Sequence, residues 1–303
     1  MSSLNPPSQP SPESDDQARA IEKWGTQRTT NLNHEIEASD LAVNEKNRVW
    51  WENLPMTYAD WESQQREPVT AEDFERTDGF YFGTNPYIRE QVDFTSLAGK
   101  QVLEIGCGAG SAACAFARAG AHVTAVDITE QAVKLTRRNA ELKGITNLEV
   151  RQMDAEKLDG LADGRFDFVY SWGVLHHSSN PEQCYQQVAR VMKPGGTGLI
   201  MVYHRNSMRY WLKGLYWLVV KGKVLQGHSF PSVQRFYTDG YYHKHYSASQ
   251  FAESLHQAGL VTERTAVTHM SSRMIPFVPE GLRQWLKSRI GWLLVAHVKK
   301  AGS

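Results

Sequence analysis

A chain of 303 residues with 41% hydrophobic side chains has enough apolar material for one large domain or two small ones. Thirty-three Lys and Arg balance thirty-three Asp and Glu, so no global field exists to hold a polyanion, and recognition of nucleic acid by bulk charge is excluded. The three cysteines, Cys107, Cys114 and Cys184, are too few for a disulfide framework and lack the paired spacing of a zinc site, so a reducing, cytoplasmic setting is expected.

The chain opens with MSSLNPPSQPSPESDDQ, which has neither a basic n-region nor an apolar h-region, and residues 1–17 read as a disordered tail rather than a secretory signal. Residues 18–99 form an N-terminal extension without strand signals. Its helical pieces are rich in Trp and charge, including NRVWWENLPMTYADWE, with Pro55 and Pro68 as breaks. From residue 101 the pattern changes. Short apolar runs at QVLEIG, HVTAVD, LEVRQM, FDFVYS and TGLIMVY read as strands, with helices expected near 110–119, 130–143 and 181–192. KPGG (193–196) reads as a helix stop before the fifth strand.

Strands separated by helices imply parallel pairing through right-handed crossovers, hence a doubly wound, Rossmann-like α/β sheet. After Tyr203 the alternation stops. A Trp-, Tyr- and Lys-rich insertion covers 205–246, in which Trp211, Leu212, Leu215, Tyr216, Leu218 and Val219 recur at the spacing of an amphipathic helix. A helix (247–258), a strand (260–268), a short helix (282–288) and a last strand, GWLLVAHVK, then close a seven-stranded sheet with an antiparallel edge hairpin. Residues 100–303 thus read as one cofactor-binding domain. No apolar run reaches the length of about 18 residues needed to cross a bilayer.

The chemistry concentrates at VLEIGCGAG (102–110). Glycines at a strand's carboxyl end let the turn take unusual backbone angles and let a ligand approach closely. A dinucleotide site has the spacing G-x-G-x-x-G, but the third glycine position counted from Gly106 is Ser111. Glu104, just before the first glycine, would oppose a pyrophosphate and suits a cation such as an ammonium or sulfonium. Asp127 ends the second strand, where a carboxylate can accept from both ribose hydroxyls, and Asp154 follows the third, where one can accept from an adenine amine. A cationic end, a ribose and an adenine describe S-adenosylmethionine. A nicotinamide oxidoreductase is the competing enzyme reading, disfavoured by the same two features, and a binding protein without chemistry of its own would show identical residues.

The runs VLEIGCGAG, AVDIT, QMDAEKL, FDFVYSWGVLHHSSNP and VMKPGGTGLIMVYHR, in that order over about residues 100–204, resemble a class I S-adenosylmethionine-dependent methyltransferase of the type 11 (UbiE-like) small-molecule kind. The resemblance implies that Glu104, Gly106, Cys107, Gly108 and Gly110 cradle the methionine part. It also implies that Asp127 and Ile128 meet the ribose, Asp154 and Ala155 the adenine, and that Ser171 and Trp172 lie beside the cofactor, with S-adenosylhomocysteine as product. His176 and His177 are implied on the acceptor side, and Tyr81 and His204 join them as candidate catalytic residues. Cys107 and Cys114 read as packing residues, because methyl transfer needs no covalent enzyme intermediate.

In-line transfer from a sulfonium mainly requires alignment, but an alcohol acceptor must also lose a proton, for which His is suited. A hydroxyl oxygen on a small molecule is the favoured acceptor, with an amine nitrogen or thioether sulfur as alternatives. His243 and His245 lack the spacing of a metal site, and no metal is expected. The aromatic-rich extension and insertion are expected to build the acceptor pocket and a lid, ahead of a reading in which Lys213, Lys221 and Lys223 face a membrane surface.

Overall fold

The computed structural model describes residues 32, 35–54, 68–236, 240–270 and 277–302. The expected tail at 1–17 and the second half of the WWENLPMTYADWE run lie outside them. Five parallel strands form the centre: β1 (Gln101–Ile105), β2 (His122–Asp127), β3 (Leu148–Gln152), β4 (Phe166–Trp172) and β5 (Met192–His204). A two-residue strand β6 (His245–Tyr246) follows, then β7 (Leu260–Thr268) and β8 (Leu293–Lys300). The order is β3-β2-β1-β4-β5-β8-β7, with β8 antiparallel to both of its neighbours and β6 pairing the end of β5. This is the doubly wound sheet with an antiparallel edge hairpin that the alternation of patterns implies.

Helices before the sheet are α1 (Val43–Asn53), α2 (Ala71–Thr84) and α3 (Ile88–Gln91). The crossovers are α4 (Ser111–Arg118), α5 (Glu130–Leu142) and α6 (Pro181–Val191). The insertion supplies α7 (Met208–Leu215), a π-turn over Tyr216–Val220, a 3₁₀ turn over Lys223–Gln226 and α8 (Phe230–Phe236), and the chain closes with α9 (Ala248–Gln257) and α10 (Glu280–Ile290). Local chemistry sets the starts of the crossovers. Thr129 accepts from the Ala132 N–H, and Asn180 accepts from the Gln183 N–H just ahead of Pro181 at N1, caps that stabilise a helix by about 1 kcal/mol each. The buried residues of α5, among them Ala132, Val133, Leu135, Thr136 and Asn139, recur every three or four positions, which lays one stripe on the sheet.

Two differences from the sequence reading have physical causes. KPGG is not a stop outside the sheet: β5 begins at Met192, which pairs with Phe166, and the register then shifts so that Phe168 meets Thr197. The four residues form an irregularity inside one long strand, made possible by Gly195 at φ +73°. The eighth strand, His245–Tyr246, pairs with Tyr203–His204 and returns the insertion to the sheet; two residues are too few to show a period.

Candidate active site

The strand β1 turns at Gly106, whose N–H and that of Cys107 both donate to the Val126 carbonyl, at 2.7 and 3.2 Å. Gly106 has φ +83°, and a Cβ there would lie 2.1 Å from a γ-methyl of Val174, so the β4 connection closes directly onto the glycine. The α5 stripe holds the rest of the loop: Thr136 Oγ1 donates to the Gly108 carbonyl at 3.1 Å and Asn139 Nδ2 to the Ala109 carbonyl at 2.8 Å.

Three carboxylates face this loop. Glu104 is buried, and its Oε2 has no hydrogen-bond partner among the described residues. Burial drives its pKa well above the usual range; the Ala113 N–H works against this and the Asp127 charge adds to it. Asp127 accepts from the Thr129 N–H (3.0 Å), the Thr129 hydroxyl (2.9 Å) and the Gly108 N–H (3.2 Å). Burial still outweighs those bonds and raises its pKa. Asp154 accepts from the Glu156 N–H at 2.9 Å. All three line one cavity of about 280 Å³. The Cys107 thiol shares its wall and is pushed far up by burial and then by Asp127 and Glu104, so it stays protonated and is not a nucleophile.

The other end of the cavity is roofed by the N-terminal extension. Three side chains of α1 tie it down. Asn44 accepts from the Ser179 N–H at 2.8 Å, buried Asn47 donates to the His177 carbonyl and accepts from the Tyr242 N–H, and Glu52 accepts from the Glu130 and Gln131 N–H groups that open α5. Trp51 is thereby set edge-on to the His177 ring, with centroids 5.2 Å apart. Gly240, at φ +83°, passes so close that a Cβ would lie 2.6 Å from His177 Nδ1.

The His177 ring is in a fixed tautomer. Its Nδ1 lies 2.8 Å from the Tyr242 carbonyl, which only accepts, so Nδ1 carries the hydrogen and Nε2 the lone pair. That Nε2 is buried with no partner among the described residues. Burial pulls the pKa down to about 4 against the pull of the Tyr242 carbonyl, and the ring is neutral at pH 7. His176, its neighbour in a 3₁₀ turn, lies away from the cavity, fully buried with its ring centroid 4.1 Å from that of Tyr203.

Of the residues expected at the cofactor, Glu104, Gly106, Cys107, Gly108, Asp127, Ile128, Asp154, Ala155 and Trp172 line the cavity. Gly110 and Ser171 do not. Gly110 is the left-handed N-cap of α4, beside Thr136, and Ser171 is buried within β4. Of the acceptor-side candidates, His177 and Tyr81 line it, the latter with its hydroxyl 2.7 Å from that of Tyr170. His204 does not, being bonded through Nδ1 to the Gly291 carbonyl at 3.0 Å. Asn47, Thr84, Asn85, Arg209, His269 and Trp292 are wall residues that sequence reasoning did not single out. Among the described residues no group of three or more His, Cys, Asp or Glu is arranged to hold a metal ion.

Residues 103–200 match the family described as a methyltransferase domain. The chain is 28% identical over 207 residues to a ubiquinone biosynthesis O-methyltransferase of Acinetobacter baumannii, covering 68% of this chain and 80% of the relative. An S-adenosylmethionine-dependent methyltransferase from Mesorhizobium loti superposes with a TM-score of 0.50 at 18% identity, over 75% of this chain and all of the other. One from Methanosarcina mazei gives the same score and identity over 72% and 98%. Residues 103–200 are a methyltransferase domain, the fold is that of class I methyltransferases, and the chain is an S-adenosylmethionine-dependent methyltransferase. The methyltransferase's residues fit that methyl donor: the partnerless Glu104 oxygen belongs to a buried carboxyl whose ionised form a cation would stabilise, and the Gly106 turn would be closed by any Cβ. Among its described residues no helix is long and apolar enough to cross a membrane.

Proposed function

We propose that this methyltransferase methylates a hydroxyl oxygen of a small aromatic acceptor, with His177 taking the hydroxyl proton. The observation that carries the proposal is the His177 Nε2 lone pair, buried, fixed in its tautomer on a side chain that lines the cavity, and bonded to nothing among the described residues. The relative's name, an O-methyltransferase, supports oxygen. The aromatic character of the acceptor rests on Trp51, Trp172, Tyr203 and Trp292, which line the same cavity and offer ring faces and edges to a flat ligand.

S-adenosylmethionine, when bound, supplies a methyl group on a positive sulfur. Glu104 accepts the ammonium of its methionine part, Asp127 with Ile128 the ribose, and Asp154 with Ala155 the adenine, while the loop through Gly106, Cys107 and Gly108 leaves room for the chain between them. Gly110, Ser171, His176 and His204 act as positioning residues behind this wall, and Tyr81 closes it from α2. The bound donor would supply the methyl to the acceptor oxygen with the carbon–sulfur electrons leaving on sulfur, and His177 Nε2 would take the hydroxyl proton. Full proton transfer before the methyl moves, from a phenol near pKa 10 to an imidazole near 4, would be uphill by about 8 kcal/mol. The proton therefore moves as the new bond forms. The ammonium ion and sulfonium together also lower the effective cost of the three acids at the far end.

The test is a panel of phenols, aliphatic alcohols, amines and thioethers with isotopically labelled donor. Methyl incorporation into phenols, lost in His177→Ala with donor affinity kept, is expected. Incorporation only into amines, or full turnover by His177→Ala, would refute the proposal.

A further inference from the structure

The insertion after β5 does not behave as a lid packed wholly against the sheet. Its inner face is closely fitted: a Cβ at Gly214 would lie 2.3 Å from the Phe230 ring, Gln234 Nε2 donates to the Tyr210 carbonyl at 2.6 Å, and Tyr210 is buried. That packing fixes which way α7 faces. On the outside, Trp211, Leu212, Val219, Val220, Val224 and Leu225 each leave half or more of their surface in water, with Leu225 at 90%. Leu215 and Tyr216 are nearly as open. The amphipathic period read from 211–219 is real, but much of its apolar side points to solvent. The π-turn at 216–220 and left-handed Gly222 and Gly227 carry the same exposed face on beyond the end of α7. Isolated apolar residues on a surface need no explanation, whereas a contiguous group of this size marks a docking site.

Charge identifies what docks there. The chain as a whole is balanced, yet the stretch 211–225 that carries the exposed face contains Lys213, Lys221 and Lys223 and no Asp or Glu, the first acid of the insertion being Asp239. Lys221 and Lys223 flank Gly222 between the exposed valines, both in the same outward stretch. Apolar side chains with cations at their margin, on a segment too short and too interrupted to span a bilayer, are the composition of a helix that lies in a lipid interface. A protein partner with the same apolar face would not favour a margin of cations without acids, whereas an anionic headgroup layer does.

We propose that the face formed by residues 211–225 docks on the surface of an anionic lipid bilayer, with the apolar side chains entering the headgroup boundary and Lys221 and Lys223 meeting lipid phosphates. Because Arg209, on the same helix, lines the cavity, docking brings the acceptor end of the site next to the membrane. An acceptor partitioned into lipid then reaches the site without crossing bulk water.

The experiment is co-sedimentation of the full chain with vesicles of phosphatidylcholine alone and of phosphatidylcholine mixed with phosphatidylglycerol, at low and high salt. Binding to the mixed vesicles, weakened by salt and much lower on phosphatidylcholine alone, is expected. Val220→Asp with Leu225→Asp should abolish it. Lys221→Ser with Lys223→Ser should lower it about thirtyfold. Calorimetry with S-adenosylhomocysteine on each variant shows that the fold is intact, and that readout stands apart from any acceptor assay. No sedimentation with either vesicle overturns the proposal. So does wild-type binding by the aspartate variant, or light scattering that shows a dimer lost in that variant with no vesicle binding by the wild type.

Discussion

Substituting Gly240 by alanine tests whether the position of His177 matters to transfer. The new methyl would lie 2.6 Å from His177 Nδ1, 2.8 Å from its Cε1 and 3.3 Å from Trp51 Cζ2. Normal contact starts near 3.4 Å, so the ring must retreat by about 0.8 Å or the 240–242 segment must move outward by as much. Either movement lengthens the 2.8 Å bond from Nδ1 to the Tyr242 carbonyl, with a loss of about 1 kcal/mol. A φ of +83° costs an L-residue a further 1–2 kcal/mol or so, giving about 2–3 kcal/mol of lost stability. A shift of this size at a reacting group is expected to lower kcat about ten- to hundredfold. The donor end lies across the cavity, so S-adenosylhomocysteine affinity should hold within about twofold. Urea unfolding, calorimetry and single-turnover transfer with labelled donor give the three numbers. A stability loss with kcat unchanged would show that His177 is only a packing residue, and a fall in donor affinity matching that in kcat would show that the two ends are not separable in this way.

Glu104→Gln should raise the stability of the ligand-free protein, since it removes a carboxyl whose ionised form burial disfavours, and weaken donor binding at least about tenfold; urea unfolding and calorimetry must move in opposite directions. Glu52→Ala leaves the first N–H groups of α5 without their acceptor and should cost about 1 kcal/mol, read as a lower Tm. For acid stability, the His177 pKa of about 4 lies below the ordinary 6.5, so the unfolded chain binds a proton that the folded one refuses, and stability falls as pH drops from about 6.5 towards 4. Between pH 7 and 5 this amounts to about 2 kcal/mol, which His177→Gln should remove. The raised carboxylates Glu104 and Asp127 act in the opposite sense in that range, and they cancel when the two proteins are compared. Equal pH slopes for both proteins would contradict the buried, neutral ring.

The sheet was legible because each central strand is an apolar run closed by a glycine, an acid or a turn, and five of them fall within a few residues of the expected bounds. The gathering of three acids at one cavity was legible for a related reason: Glu104, Asp127 and Asp154 sit at or just past the ends of those strands, so the sheet order alone brings them together. The far end of the cavity was not. Asn47 reaches His177 across 130 positions and Tyr242 across 195, and no local period encodes such a contact. Arg209, His269 and Trp292 come to the wall from three separate elements for the same reason. The adjacent histidines were indistinguishable as letters. In a 3₁₀ turn of about three residues, neighbours point some 120° apart, which sends one ring to the cavity and the other to Tyr203. The insertion's apolar period was visible, but whether its apolar side met protein or solvent depended on how Gly214 seats against Phe230.

The bond from Glu52 to the start of α5 reaches further than the tethering of α1. The same helix, through Thr136 and Asn139, holds the carbonyls of the glycine loop. One rigid rod thus has the helical roof of the cavity at its tip and the glycine loop along its flank. Any ligand that steadies α1 must also steady the loop, and by linkage the favour is returned by an equal factor. The two substrates are therefore expected to bind with positive cooperativity, and the occupied donor site is the better receiver for the acceptor.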